Sequence, residues 1–235
     1  MEQISPPLTS DDSARPISPA PGETLTEAAY FAIRRDIISG ALAPEERLRI
    51  ERLSRLYGVG PTPLREALQR LCAAGLVHAS GNKGFAVAPL SMDEFTDLTI
   101  ARVAIEEQAL RLSIEHGDDA WESQVAATAY QLNKKDVALI ASGEVALSDW
   151  EAANSAFHAA TVAACGSRWL LTLRGRLNEQ VERYRLASVA LRRADRDLVH
   201  EHADIATAVL NRDADRASAL IAQHFRKTAT LLAGA

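Results

Sequence analysis

The stretch that most constrains this chain is Arg47–Val87, RLRIERLSRLYGVGPTPLREALQRLCAAGLVHASGNKGFAV. Two short amphipathic segments flank Gly58-Val59-Gly60, and two extended pieces follow, joined by Gly81-Asn82-Lys83-Gly84. A first helix is expected over Leu25–Ser39, with Ala29, Phe31, Ile33, Ile37 and Ile38 supplying apolar contacts and Gly40 stopping it. A second spans about Ile50–Tyr57, with Leu53 and Leu56 facing inward. Val59 plugs the corner. A third opens at Pro61 with Pro63 close behind, where backbone N–H groups lack helical partners in any case, so both prolines cost little. It turns Leu64, Ala67, Leu68 and Leu71 to a core. Leu76-Val77 and Phe85-Ala86-Val87 read as a two-stranded wing. This is the sequence form of a winged helix-turn-helix, which seats one helix in a DNA major groove.

The charge balance agrees locally, not globally. The formal net charge of the chain is -5. Residues 47–70, however, carry six arginines against Glu51 and Glu66. Thr62 and Arg65 lie one turn apart near the start of the third helix, where base edges are read, and an arginine there can bridge two acceptors on guanine. Arg49, Arg52 and Arg55 surround the preceding helix as phosphate contacts, and Lys83 at the wing tip reaches toward the neighbouring groove. Glu51 and Glu66 would repel phosphates unless they pair with Arg55 and Arg70 at i+4.

Residues 1–22 hold five of the nine prolines among Ser, Thr and Asp, and read as a disordered tail. Residues 23–88 form the winged helix-turn-helix domain. From 89 to 235 strand alternation is missing, and helices are expected from Ser91 to about His116, then at 119–132, 134–142, 146–164, 167–187, 191–210 and 214–232. The fold class is therefore mainly α, a winged helix-turn-helix followed by an all-helical antiparallel bundle. Two isolated cysteines, no long apolar run and no leader-like N-terminus point to the cytoplasm and away from any membrane.

In the bundle, polar residues interrupt apolar faces. Asn154 and His158 are i and i+4 on one helix, while His202 and His224 lie on apolar faces of two others. Three imidazoles and an amide from three helices suit a borderline divalent metal ion such as zinc or nickel. Core histidines with satisfied hydrogen bonds are the plain alternative. Arg102 and Glu106 form an i, i+4 pair, read either as an intrahelical ion pair or as a pocket wall whose arginine clamps a ligand carboxylate. Arg183 and Arg185 flank Tyr184 and offer the same choice. An HExxH pairing is absent, so a metal-dependent hydrolase is the weakest function reading. A DNA-binding protein without any effector is a second alternative.

The stretch IRRDIISGALAPEERLRIERLSRLYGVGPTPLREALQRLCAAGLV, with NKGFAV, resembles the GntR family of bacterial transcription regulators. ARVAIEEQALRLS, NSAFHAAT and EHADIATAVLNRDADRASALIAQHF resemble the FCD effector domain of its FadR subfamily. The resemblance implies a homodimeric, non-enzymatic repressor on a palindromic operator in double-stranded DNA, controlled by a small organic acid. The family's usual corner arginine is replaced by Pro61 and its serine by Gly60, while Thr62 and Arg65 are retained. The customary Pro-Gly is Pro44-Glu45. The resemblance places a divalent metal ion on Asn154, His158, His202 and His224, with Asn154 standing where the family has an aspartate. Arg102, Tyr184 and Arg185 would bind the effector. The AFH…CGS stretch and the Tyr-Arg pair that ends the next helix resemble regulators of small-dicarboxylate metabolism, which makes glutarate the first candidate.

Overall fold

Thr24 and Glu27 open the first helix by capping each other. The Thr24 hydroxyl accepts the Glu27 N–H at 3.2 Å, and the Glu27 carboxylate accepts the Thr24 N–H at 2.9 Å. This helix, α1 (Leu25–Ile38), buries Ala29, Ile33 and Ile37. Phe31, expected to face inward, lies on the other side of α1 and is 56% exposed. The computed structural model describes residues 13–79, 84–141, 147–191 and 197–233. Its contacts fall into two compact units, Met1–Ser91 and Met92–Ala235.

In the first unit, α1 is followed by β1 (Arg47–Leu48), α2 (Ile50–Tyr57), α3 (Pro61–Ala73), β2 (Val77–Ala79) and β3 (Phe85–Val87). The wing holds one strand more than expected. β3 is central, pairing antiparallel with β2 through Val77↔Val87 and with β1 through Arg47↔Ala86. Glu45 takes the left-handed conformation at φ 63 in the turn before β1 and donates its N–H to Val87 O at 3.1 Å. A glycine would fit there without strain, so the chain accepts a small local cost. Leu53, Leu64, Ala67, Leu68 and Leu71 are completely buried, and Val59 plugs the corner as expected. α2 ends on Gly58 at φ 67, which frees the chain to turn into α3.

Residues 1–12 lie outside the described part. Residues 13–20 do not follow the expectation of a disordered tail. The Arg15 and Ile17 N–H groups donate to Leu56 O at 2.6 Å and Tyr57 O at 3.0 Å, two of the carbonyls a helix end leaves without helical partners. The Arg15 guanidinium also reaches the buried Asp36 at 3.1 Å, which accepts the Tyr57 hydroxyl at 2.9 Å. Proline-rich composition kept this segment from folding alone but not from docking on a formed helix end.

The second unit consists of α4 (Met92–His116), α5 (Asp119–Ala141), α6 (Leu147–Val162), α7 (Arg168–Leu191), α8 (Leu198–Leu210) and α9 (Ala214–Ala233). α4 packs on α9, α7 and α6; α5 packs on α6 and α8; α8 packs on α9. Two helices had been expected across 119–142, yet α5 is continuous. Val125, Leu132, Asp136 and Leu139 recur on one buried face, and burial of that face outweighs the weak helix preference of Asn133. α8 starts later than expected, at Leu198, and 192–196 lie outside the described part. Among the described residues, no helix is long and apolar enough to cross a membrane.

Candidate functional site

On α3, Leu64, Ala67, Leu68 and Leu71 face the core, which forces the remaining positions outward. Thr62 and Arg65 are therefore exposed near its N-terminal end. Arg49, just before α2, and Arg55 within it are exposed as well. Arg52, the third expected phosphate contact, is half-buried. Its guanidinium is joined to Glu46, whose other oxygen accepts the Ala43 N–H at 2.8 Å, so it braces the turn before β1. Glu66 does not show the expected ion pair; its carboxylate accepts the Thr26 hydroxyl at 2.9 Å, and Arg70 stacks on the Tyr30 ring at 4.5 Å. Lys83 lies outside the described residues.

In the helical unit, the apolar faces of α6, α8 and α9 turn His158, His202 and His224 toward one another. Ligand atoms of the three lie within 4.8 Å of each other, and all three residues are buried. Asn154, one turn before His158, is 1% exposed. Two carboxylates aim the ring. Asp136 of α5 meets His202 Nδ1 at 2.7 Å while its second oxygen accepts Trp150 Nε1–H at 2.8 Å. Glu201 meets His224 Nδ1 at 2.8 Å, and its other oxygen accepts from Lys227 Nζ at 3.1 Å. With Nδ1 engaged, Nε2 of His202 is left buried and without a hydrogen-bond partner. Both ring nitrogens of His158 and both side-chain polar atoms of Asn154 are in the same condition. Buried polar atoms are rarely left so. Burial, reinforced by His224 and His202, holds the His158 pKa well below its usual 6.5, so the ring is neutral and keeps a lone pair to donate.

These observations fit a borderline divalent ion. The donors are imidazoles, the carboxylates sit behind them as orienting groups, and polar atoms are left over. Neither Asp136 nor Glu201 was singled out as an orienting group from the sequence. Both are far in the chain from the rings they hold, and nothing in their local pattern marks them.

Arg102 is buried at 4% exposure, its Nε has no partner, and its guanidinium carbon lies 3.4 Å from the centroid of the Phe225 ring. That same ring is 5.6 Å from the His158 centroid and 5.7 Å from that of His224, so Arg102 borders the histidine ring. Burial, then the nearby Arg185, lowers its pKa to about 9. Of the two readings of Arg102 and Glu106, the intrahelical ion pair is not formed: Glu106 is held by Arg174 through Nε at 2.8 Å and Nη2 at 3.0 Å. Arg185 is likewise held by both oxygens of Glu151, with Nε at 2.8 Å from one of them. Tyr184 donates to Glu94 at 2.9 Å and stacks on Phe95. Of the three expected effector contacts, only Arg102 has a guanidinium nitrogen shown without a partner; carboxylates of the protein hold the other two.

Comparison with known proteins agrees with this architecture. Residues 25–87 match the bacterial regulatory proteins of the gntR family, and residues 97–227 match the FCD domain. The chain is 39% identical over 201 residues to the HTH-type transcriptional repressor GlaR of Escherichia coli, covering 83% of this chain and 90% of that protein. It is 35% identical over 219 residues to the HTH-type transcriptional regulator BphR of Paraburkholderia xenovorans, covering 93% and 89%. The fold is shared with E. coli McbR/YncC, at a TM-score of 0.74 and 19% identity over 90% of this chain and 98% of that one. A GntR regulator from Rhodococcus matches with a TM-score of 0.72 and 21% identity over 89% and 98%.

Proposed function

The chain belongs to the GntR family of bacterial transcription regulators and carries an FCD domain, and on that premise we propose that it is a repressor whose operator affinity is set by a small organic acid in the helical unit. The observation that carries this reading is the ring of buried donors at Asn154, His158 and His202 that have no partner in the protein, with Arg102 beside it. Buried polar atoms of a merely packed cluster are as a rule satisfied.

Thr62 and Arg65 read base edges, and Arg49, Arg55 and Lys83 hold phosphates. A homodimer presents two such modules to a palindromic operator. The histidine ring would hold a divalent ion, zinc or nickel in type, which would supply a Lewis-acidic seat for a carboxylate oxygen. Asp136 and Glu201 keep His202 and His224 turned inward. Arg102 receives the second carboxylate of a dicarboxylate, glutarate being the first candidate, and its buried positive charge makes an anion there favourable. The acid shifts operator affinity only as far as it prefers the form that does not fit DNA. The protein works in the cytoplasm.

The test is binding to the intergenic DNA upstream of its own gene, at one fixed salt concentration, titrated with glutarate and related acids. Release by one acid at micromolar to low millimolar concentration is expected. Arg65→Ala weakens binding by about 1–3 kcal/mol per half-site if it reads a base. An unchanged affinity on that substitution removes the docking assignment.

A further inference from the structure

We infer that the segment ahead of α1, residues 13–20, is part of the DNA-binding apparatus, and that Arg15 is a positioning residue for α3. This rests on the reading of α3 as the helix that enters the major groove. The segment lies before the part of the chain that matches the gntR family, which begins at residue 25. Arg15 and Ile17 are half-buried, while Ala14, Pro16 and Ser18 are exposed. Alternate residues therefore turn toward the protein, as in an extended strand laid on a surface.

What the segment touches is the end of α2. A helix leaves its last carbonyls without helical partners. Here the Leu56 and Tyr57 carbonyls accept the Arg15 and Ile17 N–H groups, at 2.6 and 3.0 Å. The Arg15 guanidinium donates to Asp36 Oδ2 at 3.1 Å, and the same oxygen accepts the Tyr57 hydroxyl at 2.9 Å. One carboxylate of α1 thus joins the segment to the last residue of α2. Pro16 lies 3.5 Å from where a side chain at Gly58 would begin. Downstream the segment is tied to the start of α1. The Ala20 N–H donates to the Glu23 carboxylate at 2.8 Å, and the Glu23 N–H returns to Ala20 O at 2.9 Å, just before the Thr24 cap.

Only Gly58, Val59 and Gly60 separate Tyr57 from the first residue of α3. Two glycines leave that corner more freedom than other residues would, so the direction in which α3 departs depends on what holds its surroundings. Val59 is buried and holds the corner from within. The segment holds it from outside, by fixing the end of α2 against α1. α3 has its own ties to α1, through Thr26 on Glu66 at 2.9 Å and Arg70 on the Tyr30 ring. Together these contacts set Arg65 of α3 relative to Arg49 and Arg55 at α2. An operator must meet all three at once, so a loosened corner lowers the fraction of the protein that fits and the apparent affinity with it. Arg15 acts through this arrangement, with its guanidinium turned to Asp36.

The experiment compares the full-length parent with Arg15→Ala, Arg15→Lys and Ile17→Pro. The last removes the N–H given to Tyr57 O and leaves the arginine in place. Affinities for the intergenic DNA upstream of its own gene, and for a duplex of unrelated sequence, are measured at several salt concentrations. The temperature is one at which the circular dichroism of each variant matches that of the parent. Arg15→Ala and Ile17→Pro should each weaken operator binding about 3- to 10-fold, with Arg15→Lys restoring part of the loss. Affinity for the unrelated duplex, and the slope of log affinity against log salt, should stay as in the parent. A slope shallower by about 0.9 per protomer in Arg15→Ala would make the arginine a phosphate contact and overturn the positioning role. Unchanged operator affinity in Arg15→Ala overturns it as well. Arg65→Ala tests the reading beneath: a loss there with none at Arg15 leaves α3 as the reading helix, and no loss at either removes both.

Discussion

The two units treat buried polar groups in opposite ways. In the DNA-binding unit the deeply buried carboxylate, Asp36, is surrounded: Arg15, Arg35 and the Tyr57 hydroxyl all reach it. In the helical unit, Arg174 and Arg185 are matched as completely, yet Arg102, His158 and Asn154 keep atoms with no partner a few residues away. A fold able to close two bidentate arginine–carboxylate pairs in one interior is able to close the rest. The open atoms of Arg102, His158 and Asn154 gather about the histidine ring, whereas in the first unit Asp36 is fully engaged and, among the described residues, Ser54 Oγ is the buried side-chain atom left without a partner.

That contrast can be broken hardest at the matched pairs. Glu106→Ala leaves Arg174 buried without its partner, so thermal unfolding should show the helical unit destabilised by about 3–5 kcal/mol. A smaller loss, about 1–3 kcal/mol, is expected for Asp36→Ala, which strips the partner from the buried Tyr57 hydroxyl in the first unit. The two losses should appear in different transitions if the units unfold separately.

Titration sharpens the same contrast. His158 has its pKa depressed by burial, so below about pH 6.5 the unfolded chain takes up a proton that the folded one refuses. Stability of the helical unit should then fall with acid, at up to about 1.4 kcal/mol per pH unit for this group. Tyr57 is displaced the other way, its pKa raised by burial and by Asp36. Its contribution is intact below about pH 10 and is lost as pH climbs from there toward the raised value, because the unfolded phenol ionises first. Denaturation midpoints followed from pH 5 to 11 would separate an acid-weakened unit from an alkali-weakened one. A shared profile would remove the distinction.

The smallest effect is the most telling. His158→Leu replaces an unsatisfied imidazole by an apolar group of similar size, and stability should change by less than about 1 kcal/mol, in either direction. The response of operator binding to the acid should vanish. A large stability loss instead would mean that His158 serves packing.

Much of the first unit was legible because its signals are local. Gly58, Val59 and Gly60 mark the corner, Pro61 opens α3, and the periodicity of Leu64, Leu68 and Leu71 sets its buried face. The histidine ring was legible for a related reason: an imidazole on an otherwise apolar helix face stands out wherever it occurs. What stayed hidden depends on partners far along the chain. Glu106 sits one turn after Arg102, yet its partner is Arg174, because helix packing rather than helix spacing decides which buried arginine a carboxylate meets. Asp136 fell near an expected gap between two helices and turned out to lie in the buried face of one. Arg15 lay in a stretch whose composition speaks only about its inability to fold alone.

One contact in the helical unit also has an optical consequence. The indole of Trp150 donates to the same carboxylate that steadies His202. Indole emission responds to the strength of that hydrogen bond, and the bond must adjust when the imidazole on the far side of Asp136 begins sharing its lone pair. The chain thus carries its own gauge of occupancy: filling the ring should shift the colour of Trp150, and Trp150→Phe should remove that shift.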